Sequence, residues 1–543
     1  MFVLIDYKVM HMWHKLVVLL GLSLLMNVQA QSKTISPCQY GFNKAKTGEE
    51  RYAILYKTHC EAVRIGADVD YSGLRNIELT IPANAKSIPL TANNDFSGVT
   101  FTVTNTSHDI FIFQKTAPLK HVKVTKCMIR RGFYPSVRKE THGRALLVIE
   151  DKTPWVEKRK GYNYSAIRKD AIVVKNGRAA NKPIYHYKSE QSSPMAYYRI
   201  LDDEGVSFAN LTFSRSDKST HKTYLLEICN DDNILIENVE VNTPESKLTA
   251  DAAFRIKNST NIVFKRVRIN NTYSGQYSYG YGINLENVTN VTFDQFYGNG
   301  KWGVFGCNNV NNAAFTNSKM NRFDIHCYGR DVTFTNCEFF DLYNQFSSFY
   351  GKLVFNSCIF TDFVPVSLEA SYNAYTGFDV YFNHCVINTT SSNHKLISAG
   401  RIDENGDKRE ELSALCWPNV YIKDMTVNAG YAANPLYLFT CRGETQRRSI
   451  DYLSNVSIDG LAYNATDTVS HIRSISFCNF NGLTTTNVLN VTISNVKLMG
   501  VKNKQIPTLS SPDGKFYIDV KQAKGKSPIV KPQRTEMEIV ESK

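Results

Sequence analysis

The chain has 543 residues, and its 63 basic and 50 acidic side chains give a formal net charge of +13. A hydrophobic fraction of 43% is that of a folded protein and excludes general disorder. The 30 Tyr and 30 Phe residues, together with many Asn residues, favour strands and turns over helices.

The N-terminus predicts a signal peptide over residues 1–30. Lys15 precedes an apolar run from Leu16 to Met26, and Val28 to Ala30 precede an expected cleavage site. The run is too short to span a bilayer comfortably, and no later stretch is apolar enough to do so. We therefore expect a secreted or periplasmic protein without a membrane span. Acidic and basic residues before the run leave Met10 and Met12 as alternative translation starts.

One short pattern recurs along most of the chain: Asn or Asp, alternating apolar residues, then a polar turn and another apolar residue. Its clearest copies are NILIENVEV from Asn233, NIVFKRVRI from Asn261, NVTFDQFYG from Asn290, NAAFTNSKM from Asn312, DVTFTNCEF from Asp331, KLVFNSCIF from Lys352, DVYFNHCVI from Asp379, NVYIKDMTV from Asn419, NVSIDGLAY from Asn455 and NVTISNVKL from Asn490.

The spacing of these copies predicts the fold. The steps from Asn290 to Asn312, Asp331 and Lys352 are 22, 19 and 21 residues, whereas the later step from Asn419 to Asn455 is 36. A constant strand pattern with loops of varying length is typical of a coiled parallel sheet, in which each rung buries its apolar face against its neighbours. A β-propeller blade would need about 40 residues and four strands, more than the central steps hold.

We therefore predict an all-β protein, a right-handed parallel β-helix built as a single-stranded solenoid. We expect this domain to cover residues 31–520, followed by a charged tail over 521–543. The Asn residues are expected to form ladders at a corner, and Cys337, Cys358 and Cys385 are expected to be buried free thiols. Cys38 and Cys60 could form a disulfide near the mature N-terminus.

The repeat resembles the pectate-lyase-like superfamily of right-handed β-helices, found in secreted bacterial enzymes among others. That superfamily includes pectinases, glycosaminoglycan lyases, several glycosidases and phage tailspikes. The resemblance covers the chain from about Tyr52 to Leu498 and is not specific to one activity. The segment from Pro154 to Gly177 is expected to be a loop and strand pair inserted between early rungs.

The segment RFDIHCYGRD from Arg322 is the strongest candidate for a site. Because side chains alternate along a strand, Phe323 and Ile325 should face the core, and Arg322, Asp324 and His326 should share the outer face. A surface ion pair between Arg322 and Asp324, and a structural role for His326, are the alternatives.

Neighbouring rungs supply further polar and aromatic side chains between Tyr273 and Tyr375. Trp302 could offer a flat surface to a sugar ring, and the other candidate substrate-binding residues are Tyr281, Asn308, Asn309, Glu369, Asn373 and Tyr375.

This cluster favours a polysaccharide lyase that cleaves a uronic-acid-containing glycan by β-elimination. Arg322, or Asn308 with Asn309, could neutralise the uronate carboxylate. His326 is the candidate base, because an imidazole titrates near neutral pH, and Tyr372 or Tyr328 could protonate the leaving oxygen. The resemblance implies chondroitin, hyaluronan or a pectin-like chain as the substrate.

Two other functions remain open. A glycoside hydrolase needs two carboxyl groups on either side of the scissile bond, for which Asp324 and Glu369 are the best pair. A non-catalytic carbohydrate-binding β-helix would explain the aromatic residues but not the Arg322, Asp324 and His326 strand.

The expected partner is an anionic polysaccharide, since an exported protein carries a net positive charge. Basic residues do not cluster as in nucleic-acid-binding modules, so no nucleic acid is expected, and the protein is expected to be a monomer. No cofactor and no metal site is predicted. Some β-helix lyases use Ca²⁺, but no tight cluster of Asp and Glu residues indicates such a site here.

Overall fold

The computed structural model describes residues 33–105, 109–113, 119–140, 143–152, 167–184, 187, 193–201, 205–215, 224–243, 253–272, 281–300, 302–368, 378–389, 395–399, 415–429, 436–441, 450–452, 455–465, 475–480, 488–499 and 517–522. The predicted signal peptide and nearly all of the predicted tail lie outside these ranges. Among the described residues, no helix combines the length and the apolar character that crossing a membrane requires.

Most described strands belong to one coiled sheet. Its strands are Asn76–Thr80, Ile88–Pro89, Asn93–Asn105, Phe111–Phe113, Val206–Arg215, Leu226–Cys229, Asp232–Asn242, Phe254–Thr272, Ile283–Asp294, Tyr297–Gly300, Phe305–Thr316, Lys319–Met320, Asp324–Thr335, Glu338–Phe340, Tyr343–Phe346, Phe349–Asn356, Ile359–Thr361, Val364–Leu368, Phe378–Asn383, Val386–Thr389, Lys395–Ala399, Asn419–Ala429, Leu436–Cys441, Asn455–Ala465, Ile475–Phe480, Val488–Met499 and Tyr517–Gln522.

Successive copies of the sequence repeat lie on successive rungs of this sheet. Ile234 pairs with Ile262, Ile262 with Val291, and Val291 with Ala313, all in parallel register. The same apolar position therefore returns to the core on each turn. The predicted right-handed parallel β-helix is confirmed.

A column of phenylalanine rings runs through the core. Consecutive rings lie 4.5 to 5.1 Å apart between centroids, with interplanar angles of 5 to 23°. This spacing is close to the separation of neighbouring strands, about 4.8 Å, so each rung adds one ring to the stack. The members of the column are Phe264, Phe293, Phe315, Phe334, Phe355 and Phe382.

Asparagine recurs because the corners of the coil need left-handed backbone. Asn261, Asn290 and Asn312 have φ values of 52°, 58° and 57°, which Asn tolerates better than most residues. The side-chain amide of Asn290 donates to Asn261 at 3.0 Å, and that of Asn312 donates to Asn290 at 2.8 Å. The predicted amide ladder is confirmed.

The predicted thiol stack is also confirmed. Cys337, Cys358 and Cys385 are free and fully buried on consecutive rungs. Cys38 and Cys60 are free as well, so the disulfide considered for this pair does not form in the structure.

A helix over Gly48–Ile65 covers the first rung, where the sequence pattern had not predicted a helix. Thr47 caps its N-terminus in a reciprocal arrangement with Glu50, and Gly66 ends it in left-handed backbone. Tyr52, near which the resemblance to the β-helical superfamily was expected to begin, lies in this helix, and the first strand of the coil is Asn76–Thr80. The Tyr52 hydroxyl donates to the carbonyl oxygen of Lys86 at 2.7 Å, which fixes the helix against the end of the coil.

A five-stranded antiparallel sheet, here called the inserted sheet, interrupts the coil after its first rungs. It has five strands, where the sequence predicted only a loop and a pair of strands, and it has its own apolar core. Thr289 donates to the carbonyl oxygen of Ala171 at 2.7 Å, and Asn311 donates to that of Lys182 at 2.6 Å, which docks the sheet beside the central rungs. Its strands are Lys120–Val122, Arg144–Asp151, Arg168–Lys175, Arg178–Ala179 and Pro194–Leu201.

The remaining described elements are small. Two-stranded parallel sheets join Thr34–Ile35 to Asp68–Val69 and Leu415–Trp417 to Ile450–Tyr452. Short α-helices cover Lys126–Arg131 and Pro135–Glu140, and 3₁₀ helices cover Pro37–Tyr40 and Phe42–Lys44.

Candidate functional site

The alternation predicted around Arg322 is present in the structure. Phe323 and Ile325 are fully buried in the core of the coil. Arg322, Asp324 and His326 therefore project from the other side of the strand, and they lie in contact with one another.

Arg322 and Asp324 form a buried ion pair rather than a surface one. A guanidinium nitrogen of Arg322 lies 2.6 Å from the Asp324 carboxylate, and these side chains are 2% and 0% exposed. Arg322 also donates to the backbone oxygen of Trp302 at 3.0 Å and to the Gln345 side chain at 2.9 Å. Because Arg322 is enclosed, its charge is directed at Asp324 and not at a ligand. This placement does not suit the role considered for Arg322, the neutralisation of a substrate carboxylate.

Two aromatic rings enclose the Arg322 guanidinium. Its central carbon lies 4.8 Å from the Trp302 ring centroid and 4.5 Å from that of Tyr343. One face of the Trp302 ring is therefore already covered, which leaves less of it for a sugar than a flat exposed platform would offer.

Asp324 is held as a carboxylate despite its burial. Burial alone would raise its pKa, but the interactions with His326, Arg322 and Tyr281 outweigh that effect and lower the pKa. The carboxylate oxygen Oδ2 pairs with the Arg322 guanidinium and accepts a hydrogen bond from the Tyr281 hydroxyl at 3.0 Å. The same oxygen lies 3.2 Å from Nε2 of His326. Asp324 therefore organises the side chains above it.

Tyr281 joins these groups from two rungs away. Its hydroxyl oxygen lies 2.7 Å from Nε2 of His326 and accepts the indole N–H of Trp302 at 2.9 Å. Burial, followed by the charge of Asp324, raises the pKa of Tyr281 well above its ordinary value, so the hydroxyl keeps its proton at neutral pH. The His326 side chain is 23% exposed, whereas the Tyr281 residue is 9% exposed, so His326 is the more accessible group of the pair.

Gly306 makes this arrangement possible. It lies next to Asp324 on the preceding rung, and a Cβ atom there would come within 2.4 Å of the Tyr281 ring. The ring can therefore lie flat over the strand and reach Asp324 only because residue 306 has no side chain.

The two neighbouring asparagines have different positions. Asn308 lies on the rung before His326 and is half-buried on the outward side. Asn309 is 4% exposed, and its side chain accepts from the Lys169 backbone N–H at 3.1 Å and donates to the Ile167 oxygen at 3.3 Å. Asn309 therefore holds the inserted sheet rather than a ligand.

Tyr328 occupies the next corner position after Asn309, with a φ of 68°. It is fully buried in the core of the inserted sheet and lies 5.9 Å from the Arg168 guanidinium. It is therefore enclosed rather than open to a substrate.

Four predicted site residues lie outside the described part of the chain: Glu369, Tyr372, Asn373 and Tyr375. In the described part, no three His, Cys, Asp or Glu side chains come together in a way that could hold a metal ion.

Sequence reasoning missed the charged residues that continue this face toward the N-terminus. Arg255 and Lys257 alternate with the buried residues Phe254 and Ile256 on the strand Phe254–Thr272. That alternation was the available signal, and it is the same signal that identified Arg322 and Asp324.

Comparison with known proteins gives a likeness of fold. No protein-family model and no curated protein matches the chain. The tailspike protein gp49 from Pseudomonas phage LKA1 is 14% identical, with a TM-score of 0.49, and the match covers 86% of this chain and 84% of that one. The gp54 tailspike of Acinetobacter baumannii bacteriophage AP22, solved in complex with A. baumannii capsular saccharide, is 12% identical with a TM-score of 0.50.

The second match covers 82% of this chain and 77% of the phage protein. At 12% identity this likeness supports the parallel β-helical fold, which the tailspikes share, and extends to nothing else.

Proposed function

We propose that this protein binds an extended, uronic-acid-containing polysaccharide on the face around His326 and cleaves it by β-elimination. The observation that carries the proposal is the 2.7 Å contact between the Tyr281 hydroxyl oxygen and Nε2 of His326. It joins a group that can accept a proton to a group that keeps one at neutral pH.

The reaction needs a base and an acid on the same sugar. His326 takes the proton from the carbon next to the uronate carboxylate, and the electron pair of that C–H bond forms a carbon–carbon double bond. The bond to the glycosidic oxygen breaks, and the Tyr281 hydroxyl gives that oxygen its proton. The imidazolium then returns a proton to the tyrosinate across the same hydrogen bond, and the pair is restored.

The surrounding residues fit these roles. Asp324 lies 3.2 Å from Nε2 of His326 and orients the imidazole, and Arg322 helps to keep Asp324 ionised inside the protein. Asn308, one rung from His326, provides a half-exposed amide for the substrate carboxylate.

Elimination suits the geometry better than hydrolysis does. A glycoside hydrolase needs two carboxyl groups that contact the sugar, and Asp324 is 0% exposed and bound to Arg322. Binding of a capsular saccharide by the gp54 tailspike supports a polysaccharide as the ligand of this face, since the two chains share the fold.

The test is incubation with hyaluronan, chondroitin sulfate and polygalacturonate while the ultraviolet absorbance of unsaturated uronate products is recorded. We expect the absorbance to rise for at least one polymer. His326→Ala should lower kcat by about 10²–10⁴-fold, with a destabilisation of no more than about 1–3 kcal/mol from the polar groups that it leaves unpaired. His384→Ala is the matched control, since His384 is 59% exposed and also lies beside an aspartate. Reducing ends without that absorbance would support hydrolysis instead, and binding without either would support a non-catalytic β-helix.

A further inference from the structure

A second polar cluster lies on the same outward face, N-terminal to Asp324. Arg255 pairs with Asn284, Asn284 with Gly306, and Gly306 lies beside Asp324. Arg255 is therefore three rungs from Asp324, or roughly 14 Å at the usual strand separation. That distance exceeds the length of one sugar ring, so only an oligosaccharide could touch both places.

The Arg255 guanidinium is fixed but has spare hydrogen-bonding capacity. It lies 5.1 Å from the centroid of the Tyr224 ring, and it lies 3.7 Å from Glu227 on one side and 3.7 Å from Glu286 on the other. Both distances exceed that of an ordinary hydrogen bond. Its Nε atom is buried and has no hydrogen-bond partner among the described residues. Because the side chain as a whole is 29% exposed, the guanidinium group remains accessible to a ligand even though Nε itself is buried.

The inserted sheet adds a wall to this cluster. The Lys169 ammonium lies 3.4 Å from Glu150 on the same sheet and 3.4 Å from Glu286 on the coil. Lys169 therefore bridges the inserted sheet and the coil beside Arg255, and Asn309 anchors that sheet one rung before His326.

Charge identifies the kind of sugar that this cluster accepts. The cations Lys169, Arg255 and Lys257 are matched by three carboxylates, those of Glu150, Glu227 and Glu286.

A further carboxyl group, that of Asp109, lies beside Glu227. Burial and then the hydrogen bond with Glu227 raise the pKa of Asp109 to about 6. Above that pH the cluster carries an excess of negative charge, which disfavours a carboxylate or a sulfate. Sugar hydroxyl groups both donate and accept, so they match guanidinium donors that alternate with carboxylate acceptors.

We propose that Arg255, between Glu227 and Glu286, forms a subsite for an uncharged sugar bearing neighbouring hydroxyl groups, and that the bound chain runs along the coil from this subsite to His326. The inference rests on the proposed function and adds to it: the substrate alternates acidic and uncharged sugars, with the acidic sugar at His326. A polymer made only of uronic acid does not satisfy both places.

The experiment measures binding to immobilised hyaluronan fragments from disaccharide to decasaccharide, in which uronic acid alternates with an uncharged amino sugar. Polygalacturonate fragments, made only of uronic acid, are the comparison. We expect Arg255→Ala to weaken binding of the hyaluronan decasaccharide about tenfold or more. For the shortest fragment that the wild-type protein binds, the Arg255→Ala variant should have the same affinity as the wild type.

Arg268→Ala is the matched control. Arg268 lies on the same strand and is likewise placed over a tyrosine ring, 4.5 Å from the centroid of Tyr297. Equal decasaccharide binding by the Arg255 and Arg268 variants would overturn the subsite. The subsite would also be overturned if Arg255→Ala lost the same affinity for hyaluronan fragments of every length, or lost as much affinity for polygalacturonate as for hyaluronan. A wild-type protein that binds neither polymer would overturn it too.

The two proposals fail separately. If Arg255 governs decasaccharide binding but no unsaturated product forms, elimination is wrong and the subsite stands. If unsaturated product forms at equal rates with the Arg255 and Arg268 variants, and their decasaccharide affinities are equal, the subsite is wrong and elimination stands.

Discussion

The hydroxyl oxygen of Tyr281 and Nε2 of His326 lie 2.7 Å apart, although 45 residues separate them in the sequence. Tyr281 lies just before the strand Ile283–Asp294, and His326 lies on the strand Asp324–Thr335, two rungs along the coil. Gly306 lies on the rung between them, so the coil brings the two side chains together. One hydrogen bond thus connects the groups proposed to give and to take a proton. The four predictions below test this cluster and its support.

Tyr281→Phe keeps the ring over Gly306 and removes the hydroxyl that contacts Asp324, His326 and Trp302. We expect kcat to fall by about 10²–10⁴-fold, because the acid is lost, with a destabilisation of about 1–3 kcal/mol from the unpaired polar groups. Steady-state kinetics and thermal melting give the two values. Tyr381→Phe is the control, since the Tyr381 hydroxyl also donates to an aspartate, Asp379, at 3.4 Å. An unchanged kcat for Tyr281→Phe would exclude the hydroxyl from the reaction.

Asp324→Asn leaves the Arg322 guanidinium buried without its counter-charge. Breaking a buried ion pair in this way costs about 3–5 kcal/mol, so the denaturation midpoint should fall strongly. Glu338→Gln breaks an ion pair with Lys319 in which both side chains are 50% exposed, and it should cost no more than about 1 kcal/mol. Similar midpoints for the two variants would show that burial of the Arg322 pair has little energetic weight.

Gly306→Ala places a methyl group where the Tyr281 ring now lies, at a separation of 2.4 Å. The ring must move, so activity should fall as far as in Tyr281→Phe, and overpacking should cost about 1–3 kcal/mol. Gly73→Ala is the control, since nothing lies within 4 Å of its added carbon. Full activity in Gly306→Ala would mean that the Tyr281 position is not needed for turnover.

The stability of the inserted sheet should depend on pH through Asp170, which lies on its strand Arg168–Lys175. Burial raises the pKa of this carboxyl group from 3.8 to about 7. The hydrogen bonds from Ile184 and Tyr187 and the charges of Arg330 and Arg168 lower the pKa, but by less than burial raises it. Since the folded pKa lies above the unfolded one, the protonated form favours the folded state. The stabilisation is present below about pH 4 and is lost as the pH rises through about 7.

Hydrogen exchange of the strand Arg144–Asp151 at pH 5 and pH 8 measures this effect. We expect faster exchange at pH 8 in the wild-type chain, after correction for the intrinsic rates, and a smaller pH difference in Asp170→Asn. Asn keeps an acceptor for the Ile184 N–H, which Asp170 now accepts at 2.7 Å. Equal pH differences in the two proteins would contradict the role of Asp170.

The fold could be predicted because its cause is repeated along the sequence. Phe293, Phe315 and Phe334 follow an Asn or Asp by the same number of residues, so each rung contributes the same core ring whatever the length of its loops. The inserted sheet could not be predicted in the same way. Its strand Arg144–Asp151 carries a continuous apolar run, which does not distinguish antiparallel from parallel pairing.

For the site, the alternation of side chains along a strand predicts which residues face outward, but not which other rungs cover them. The pattern around Phe323 and Ile325 gave the direction of Arg322 and Asp324, but their burial depends on Trp302, Tyr343 and Tyr281 from other rungs. Contacts between rungs depend on register and on the space left by Gly306, and neither follows from the local period of two.

The helix Gly48–Ile65 has a consequence for the behaviour of the chain in solution. A coiled sheet ends in a strand whose free edge can recruit a strand from another molecule, and uncapped ends of this kind grow into fibrils. Here Arg51 donates to the carbonyl oxygen of Glu78 at 3.5 Å, on the first strand of the coil, and the helix lies across that end. The N-terminal helix therefore covers the edge of the first strand, where a strand of another molecule would otherwise be able to pair.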